Sequence, residues 1–129
     1  MNQSLAYITI LVDDYDKAIN FYTQKLNFIL IEDTKVSDTK RWVLVKPNGK
    51  NSCCLLLAKA ANKQQEMFIG NQSGGRVFLF LFTDDFERGY QNLIHNNITI
   101  ERKPRDESYG KVVVFRDIFG NLWDLIAPN

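Results

Sequence analysis

An internal repeat constrains this chain more than any other feature of its sequence. Residues 12–18 (VDDYDKA) are matched in character, position by position, by residues 83–89 (TDDFERG). Each copy follows an apolar run and opens a segment in which apolar residues recur at helical spacing. The repeat therefore predicts two similar modules, each of which begins with a strand and a helix.

The apolar runs before the two copies have the character of strands. Residues 5–12 and 76–82 are rich in β-branched and aromatic side chains and are too short for typical helices. Aspartates then follow in each copy, and a carboxylate accepts hydrogen bonds from the free N–H groups at a helix start. We expect the helix caps at Asp13 or Asp14 and at Asp84 or Asp85.

Three further strand-like runs follow each predicted helix, separated by turn residues. These runs are residues 28–32, 41–46 and 52–58 in the first half and 98–102, 111–116 and 121–126 in the second. Each half therefore reads βαβββ, and we expect one domain made of module one at 4–58, a linker at 59–75 and module two at 76–127. An apolar trio in the linker at 67–69 (MFI) predicts that it docks on the body or on a second subunit.

The balance of charges and the cysteine content exclude several classes of partner. The chain has 16 Lys and Arg against 15 Asp and Glu, a formal net charge of +1, so no broad field attracts nucleic acid or an anionic membrane. No apolar stretch approaches the roughly 20 residues that span a bilayer, and the first residues lack an export signal. Cys53 and Cys54 are strand neighbours that would point to opposite faces, so no disulfide is expected. We therefore expect a cytoplasmic protein with a small-molecule ligand.

Two segments of the chain resemble signatures of a known family. Residues 12–22 (VDDYDKAINFY) and 25–28 (KLNF) resemble the opening signature of the glyoxalase/bleomycin resistance/dioxygenase (vicinal oxygen chelate) superfamily, and residues 115–125 (FRDIFGNLWDL) resemble its closing signature. The resemblance implies an α+β fold in which two βαβββ modules form a curved mixed sheet around a cup, and it implies a homodimer. The implied activities include glyoxalase isomerisation, extradiol ring cleavage, thiol transfer to fosfomycin and bleomycin binding, and fold alone does not choose among them.

The resemblance also implies where a metal would be held. The family's ligand positions fall at Tyr7, Phe78 and Asp124, with the fourth at Cys54, or at Cys53 after a slip of one residue. Phe78 has no donor atom, and the Tyr7 phenol would have to ionise from a reference pKa of about 10. Catalytic zinc sites generally keep three protein ligands. We therefore expect no resident metal, with a divalent ion on a divergent ligand set as the alternative; the one histidine, His95, is expected at the surface near a helix end.

Strand alternation gives a second prediction of the ligand site. If Tyr7 faces the cup, alternation places there the residues Tyr7, Thr9, Cys54, Phe78, Phe80, Phe82 and Asp124. A loop predicted at residues 103–110 would bring Arg105 and Tyr109 to the rim. Apolar walls with a few convergent polar groups are typical of a ligand pocket.

Three classes of function remain open on this reading. The leading hypothesis is a metal-independent protein that binds a small planar or partly apolar molecule, cationic ones included. The second is an enzyme, either a glyoxalase-like lyase or a dioxygenase with a displaced metal set, or a cofactor-free catalyst with Asp124 as base and Tyr7 as acid. The third is a dimeric scaffold whose cup is filled by its own aromatic side chains. The sequence also leaves open whether one chain or two would form the cup.

Overall fold

The computed structural model of the protein describes residues 1–129. The chain divides into two compact units, Met1–Ile69 and Gly70–Asn129. Each unit contains one four-stranded mixed sheet with a helix packed against it. The α+β fold class predicted from the repeat and the family resemblance is therefore confirmed.

The first unit follows the predicted order of elements. Its sheet has the strand order β1-β4-β3-β2, with β1 and β4 parallel and the other neighbours antiparallel. The first helix continues directly into a π-helical turn at Phe21–Lys25. The elements are β1 Tyr7–Val12, α1 Tyr15–Asn20, β2 Ile29–Lys35, β3 Arg41–Lys46, β4 Cys54–Lys59 and α2 Lys63–Glu66.

The second unit repeats this topology. Its sheet has the order β5-β8-β7-β6, again with one parallel pair, β5 and β8. The elements are β5 Leu79–Phe82, α3 Phe86–His95, β6 Ile100–Glu107, β7 Gly110–Arg116 and β8 Leu122–Pro128. None of the helices in either unit has the length and apolar character that crossing a membrane requires.

The repeated aspartates cap both long helices in the same way. The Asp14 side chain accepts a hydrogen bond from the Lys17 backbone N–H at 2.8 Å, and the Asp85 side chain accepts one from the Arg88 N–H at 3.1 Å. In each pair of candidate caps the second aspartate therefore caps the helix, because its carboxylate reaches the third residue beyond it.

Two expectations for the second module were wrong. The segment predicted as a loop at 103–110 is mostly strand, since β6 runs to Glu107 and only Ser108 and Tyr109 form the turn to β7. Pro104 is tolerated there because β6 is an edge strand, where a missing N–H need not break the ladder. The run predicted from residue 76 forms a strand only from Leu79, although the Phe78 N–H already donates to Leu122 O at 2.8 Å.

The apolar core of each unit lies between its helix and one face of its sheet. The fully buried side chains of the first unit include Ile10, Val12, Val43, Val45 and Leu57. In the second unit Phe115 and Trp123 stack with their ring centroids 5.8 Å apart, and Leu125 lies under α3 near Gly89. Alternation along each strand sends the intervening residues to the opposite face, where the candidate site residues lie.

Candidate functional site

In the first unit the sheet register brings three candidate residues to one face. Tyr7 is the register partner of Cys54, and Thr9 is the partner of Leu56, so Tyr7, Thr9 and Cys54 project from the side opposite the buried Ile10. This places Cys54 rather than Cys53 beside Tyr7. Tyr7 is 49% exposed, and its ring packs edge to face against Trp42 with the two ring centroids 6.1 Å apart. Trp42 was not predicted as a site residue.

In the second unit another face combines aromatic side chains with a carboxylate. Phe80 is the register partner of Asp124, and Phe82 is the partner of Ile126, so Phe80, Phe82 and Asp124 share one face. The two phenylalanines lie on the edge strand and are 61% and 68% exposed. Asp124, on the inner strand β8, is only 5% exposed.

Two arginines complete this face from the other edge of the sheet. Arg102 pairs with Val114 and Arg105 pairs with Val112, two residues apart on β7, because the register shifts between the arginines. Without that shift, residues three apart would point to opposite faces. Arg102 was missed from the sequence for this reason. We call the five residues Phe80, Phe82, Arg102, Arg105 and Asp124 the Asp124 face.

The carboxylate at the centre of this face is buried, and one of its oxygens has no hydrogen-bond partner. Asp124 Oδ1 is buried and has no hydrogen-bond partner. Burial raises the pKa of the Asp124 carboxyl, because removal from water disfavours the charged form, while the nearby Arg105 and Arg102 oppose that rise. The carboxylate is therefore held in a place that suits its charge poorly, as is common for groups that bind or react with ligands.

Arg105 is anchored through its Nε atom. Its Nε donates to Glu107 Oε1 at 2.7 Å, and Tyr109 lies close enough to contribute to the raised pKa of Arg105. Its Nη1 is buried and has no hydrogen-bond partner. Tyr109 itself is 48% exposed at the β6–β7 turn.

Asp124→Asn is expected to stabilise the fold at pH 7 and not at pH 4. The pKa of Asp124 is raised in the folded state, so the folded protein binds a proton more readily than the unfolded chain, and stability falls as the pH rises above the unfolded value of 3.8. The amide keeps the shape and removes the buried charge, so we expect a measurable gain in the free energy of unfolding at pH 7. Urea denaturation at both pH values measures the change in the free energy of unfolding. A loss of stability at pH 7, or an equal gain from Asp84→Asn at the exposed Asp84, would contradict this account.

The residues at the family's metal positions do not fit a metal ion. Phe78 precedes β5 and has no donor atom, and Asp124 lies beside two arginines that disfavour a cation. No group of three or more His, Cys, Asp and Glu side chains is placed to hold one. His95 is exposed at the last residue of α3.

A second polar region, in the first unit, is structural in its contacts. Arg41 donates from Nη2 to Asp33 at 2.7 Å and from Nη1 to Asp16 at 2.9 Å, and its guanidinium lies 5.2 Å from the centre of the Tyr15 ring. The adjoining cleft, of about 470 Å³, is lined mainly by charged and hydroxyl side chains. These contacts pair the Arg41 charge and tie α1 to the β2–β3 hairpin.

Comparison with known proteins agrees with this fold. The family model described as "Glyoxalase/Bleomycin resistance protein/Dioxygenase superfamily" matches residues 4–125. An uncharacterised protein of Shewanella frigidimarina is 53% identical over 130 residues, which span 100% of this chain and 96% of that protein. The solved structure of UcmS2 is similar with a TM-score of 0.84 and 27% identity over 98% of both chains. TnmS3, an antibiotic binding protein from Streptomyces sp. CB03234, is similar with a TM-score of 0.79 and 25% identity, over 100% of this chain and 99% of that one. The chain therefore belongs to the glyoxalase/bleomycin resistance/dioxygenase superfamily.

Proposed function

We propose that this protein binds a small, planar and partly apolar molecule on the Asp124 face and that it needs no metal to do so. One observation carries the proposal. Phe80 and Phe82 expose most of their rings beside a carboxylate that is buried and unpaired. Exposed aromatic groups next to a few desolvated polar groups are the usual composition of a ligand site.

The two kinds of group would contribute different parts of the binding energy. Aromatic rings gain from apolar burial and from offset or edge-to-face contacts with a planar ligand. The buried polar groups contribute direction, because a ligand that fails to pair with them leaves them unsatisfied. The face therefore favours a ligand with an aromatic body and a polar edge.

The similarity to TnmS3 supports this class of function. TnmS3 is described as an antibiotic binding protein, and the present chain matches it over its whole length. Aromatic natural products are one chemical class that a face of this composition would accept. The enzymatic alternative that uses a metal receives less support, because Phe78 has no donor atom and Asp124 lies beside two arginines.

Two further parts of the proposal concern the oligomeric state and the cellular location. A homodimer remains our prediction, supported by the exposure of Met67 and Phe68, 75% and 47%, in the linker. A monomer in sedimentation at micromolar concentration would contradict it. A cytoplasmic location also remains a prediction, supported by the free thiols of Cys53 and Cys54.

The binding proposal predicts that loss of the exposed rings removes binding and leaves the fold intact. A library of planar heteroaromatic compounds is screened by thermal shift on protein treated with EDTA, and hits are measured by calorimetry. The variant Phe80→Ala/Phe82→Ala should weaken those hits about tenfold or more, since each aromatic contact is worth about 0.5–1.5 kcal/mol.

Phe68→Ala is the matched control, because Phe68 is also an exposed phenylalanine but lies outside the Asp124 face. It should leave the affinities unchanged. Binding that EDTA abolishes would refute metal independence. Hits that bind the double variant as tightly as the unmodified protein would refute the location.

A further inference from the structure

Two buried side-chain atoms without a hydrogen-bond partner lie on the same face of one sheet. They are Asp124 Oδ1 and Arg105 Nη1. Most buried polar atoms in native proteins are paired, so an unpaired one calls for a specific explanation. Here one atom accepts hydrogen bonds and the other donates them.

The backbone and a neighbouring side chain hold both atoms in place. Asp124 is fixed on an inner strand between Phe80 of β5 and Val114 of β7. Arg105 is fixed by the 2.7 Å bond from its Nε to Glu107 and by its strand register opposite Val112. Such anchoring prepares the two groups for a partner at little further cost in conformational entropy.

The two groups interact and yet do not bond to each other. Arg105 is the charge that most opposes the rise in the pKa of the Asp124 carboxyl. No hydrogen bond or ion pair joins the two side chains, and Arg105 instead pairs with Glu107. A ligand group that carries both a hydrogen-bond acceptor and a donor complements the two unpaired atoms.

The charges decide which group fits. A cationic ligand would meet Arg102 and Arg105 as well as Asp124, and an anionic ligand would meet the unpaired carboxylate, so both are disfavoured. A neutral group avoids both penalties. A carbonyl accepts from Arg105 Nη1, and a neighbouring N–H donates to Asp124 Oδ1. Phe80, the register partner of Asp124, offers its ring to the planar body of such a ligand.

We propose that Asp124 and Arg105 together recognise a neutral planar ligand whose edge carries a carbonyl and an N–H side by side, as in a cyclic amide or imide. This inference rests on the proposed function and names the chemical class of ligand for the same face. It narrows the expectation from sequence, which included cationic ligands.

Four probes of nearly equal size and planarity test the inference by calorimetry on the full chain. 2-Quinolone presents both groups, N-methyl-2-quinolone and coumarin lack the N–H, and N-methylquinolinium is a cation without a carbonyl. We expect 2-quinolone to bind about tenfold more tightly than each of the other three, the factor that one lost hydrogen bond to a charged group implies.

The variants assign that preference to the two residues. In Asp124→Ala and in Arg105→Ala the preference for 2-quinolone over coumarin should fall to within about twofold, while coumarin still binds. Asp84→Ala, at an exposed aspartate, should keep the preference. Circular dichroism checks that each variant is folded, and Asp124→Val, which also lacks the acceptor and suits a strand, replaces Asp124→Ala if that variant unfolds.

The outcomes separate this inference from the proposed function. If all four probes bind the unmodified protein equally, the inference is wrong and planar binding stands. If the preference survives both variants, the inference is also wrong. If no probe binds, the inference is wrong, and the library screen described above tests the proposed function separately.

Discussion

Asp117→Ala is expected to lower the free energy of unfolding by at least about 3 kcal/mol, since several buried donors lose their acceptor at once. Asp117 is 5% exposed at the end of β7. Its Oδ1 accepts from the backbone N–H groups of Phe119 and Asn121 at 3.0 and 2.9 Å. Its Oδ2 accepts from Asn121 Nδ2 at 2.9 Å and from the indole N–H of Trp123 at 3.2 Å.

Denaturant titration measures this loss, and two variants interpret it. Asp117→Asn should give an intermediate loss, because its amide oxygen still serves two donors while its NH₂ group faces the other two. Asp84→Ala, at an exposed aspartate, should change stability by no more than about 0.5 kcal/mol. A loss below about 1 kcal/mol for Asp117→Ala would mean that water replaces the carboxylate and that this turn is not fixed by it.

Gly110→Ala is expected to be the second large loss, of about 3 kcal/mol, from steric overlap combined with backbone strain. Gly110 begins β7 with φ at +144°, a region that side chains rarely adopt. A Cβ at this position would overlap the carbonyl oxygen of Ala127 and lie 2.9 Å from Pro128 Cα, both on the neighbouring strand β8. Backbone atoms within a ladder cannot move aside cheaply.

Gly49→Ala is the matched control, since a Cβ there meets no atom within 4 Å. It should leave stability unchanged or raise it by less than about 1 kcal/mol through the unfolded state. Gly110 comes directly after the β6–β7 turn, and Arg105 lies on β6 just before that turn. Gly110→Ala should therefore also weaken ligand binding at temperatures where the variant is still folded. Equal melting temperatures for the two alanine variants would contradict the steric argument.

The sequence allowed the fold to be predicted to a large extent, because its strongest signals are local. The repeated aspartates identify both helix starts, since an N-cap needs only a carboxylate three residues before its donor. Strand alternation likewise placed Tyr7 with Cys54, and Phe80 with Asp124. The face on which a strand residue lies depends on the period of two along the strand and hardly on tertiary context.

The features that were not predicted from the sequence depend on pairing between strands. The segment at 103–110 contains a proline and several charges and looks like a loop, yet as an edge strand it tolerates both. The register shift that turns Arg102 to the side of Arg105 has no sequence signature of its own. The absence of hydrogen-bond partners at Asp124 Oδ1 and Arg105 Nη1 could not be predicted either, because it depends on which neighbours these atoms do not reach.

The most direct test of the central claim is a nuclear magnetic resonance titration of the isotope-labelled protein with the tightest planar ligand from the screen. The account predicts that the largest shift changes occur at the amides of Phe80, Phe82 and Asp124 and at the Arg105 side chain, with and without EDTA. Shift changes concentrated instead around the Arg41 cleft of the first unit, or present only when a divalent metal is added, would contradict it.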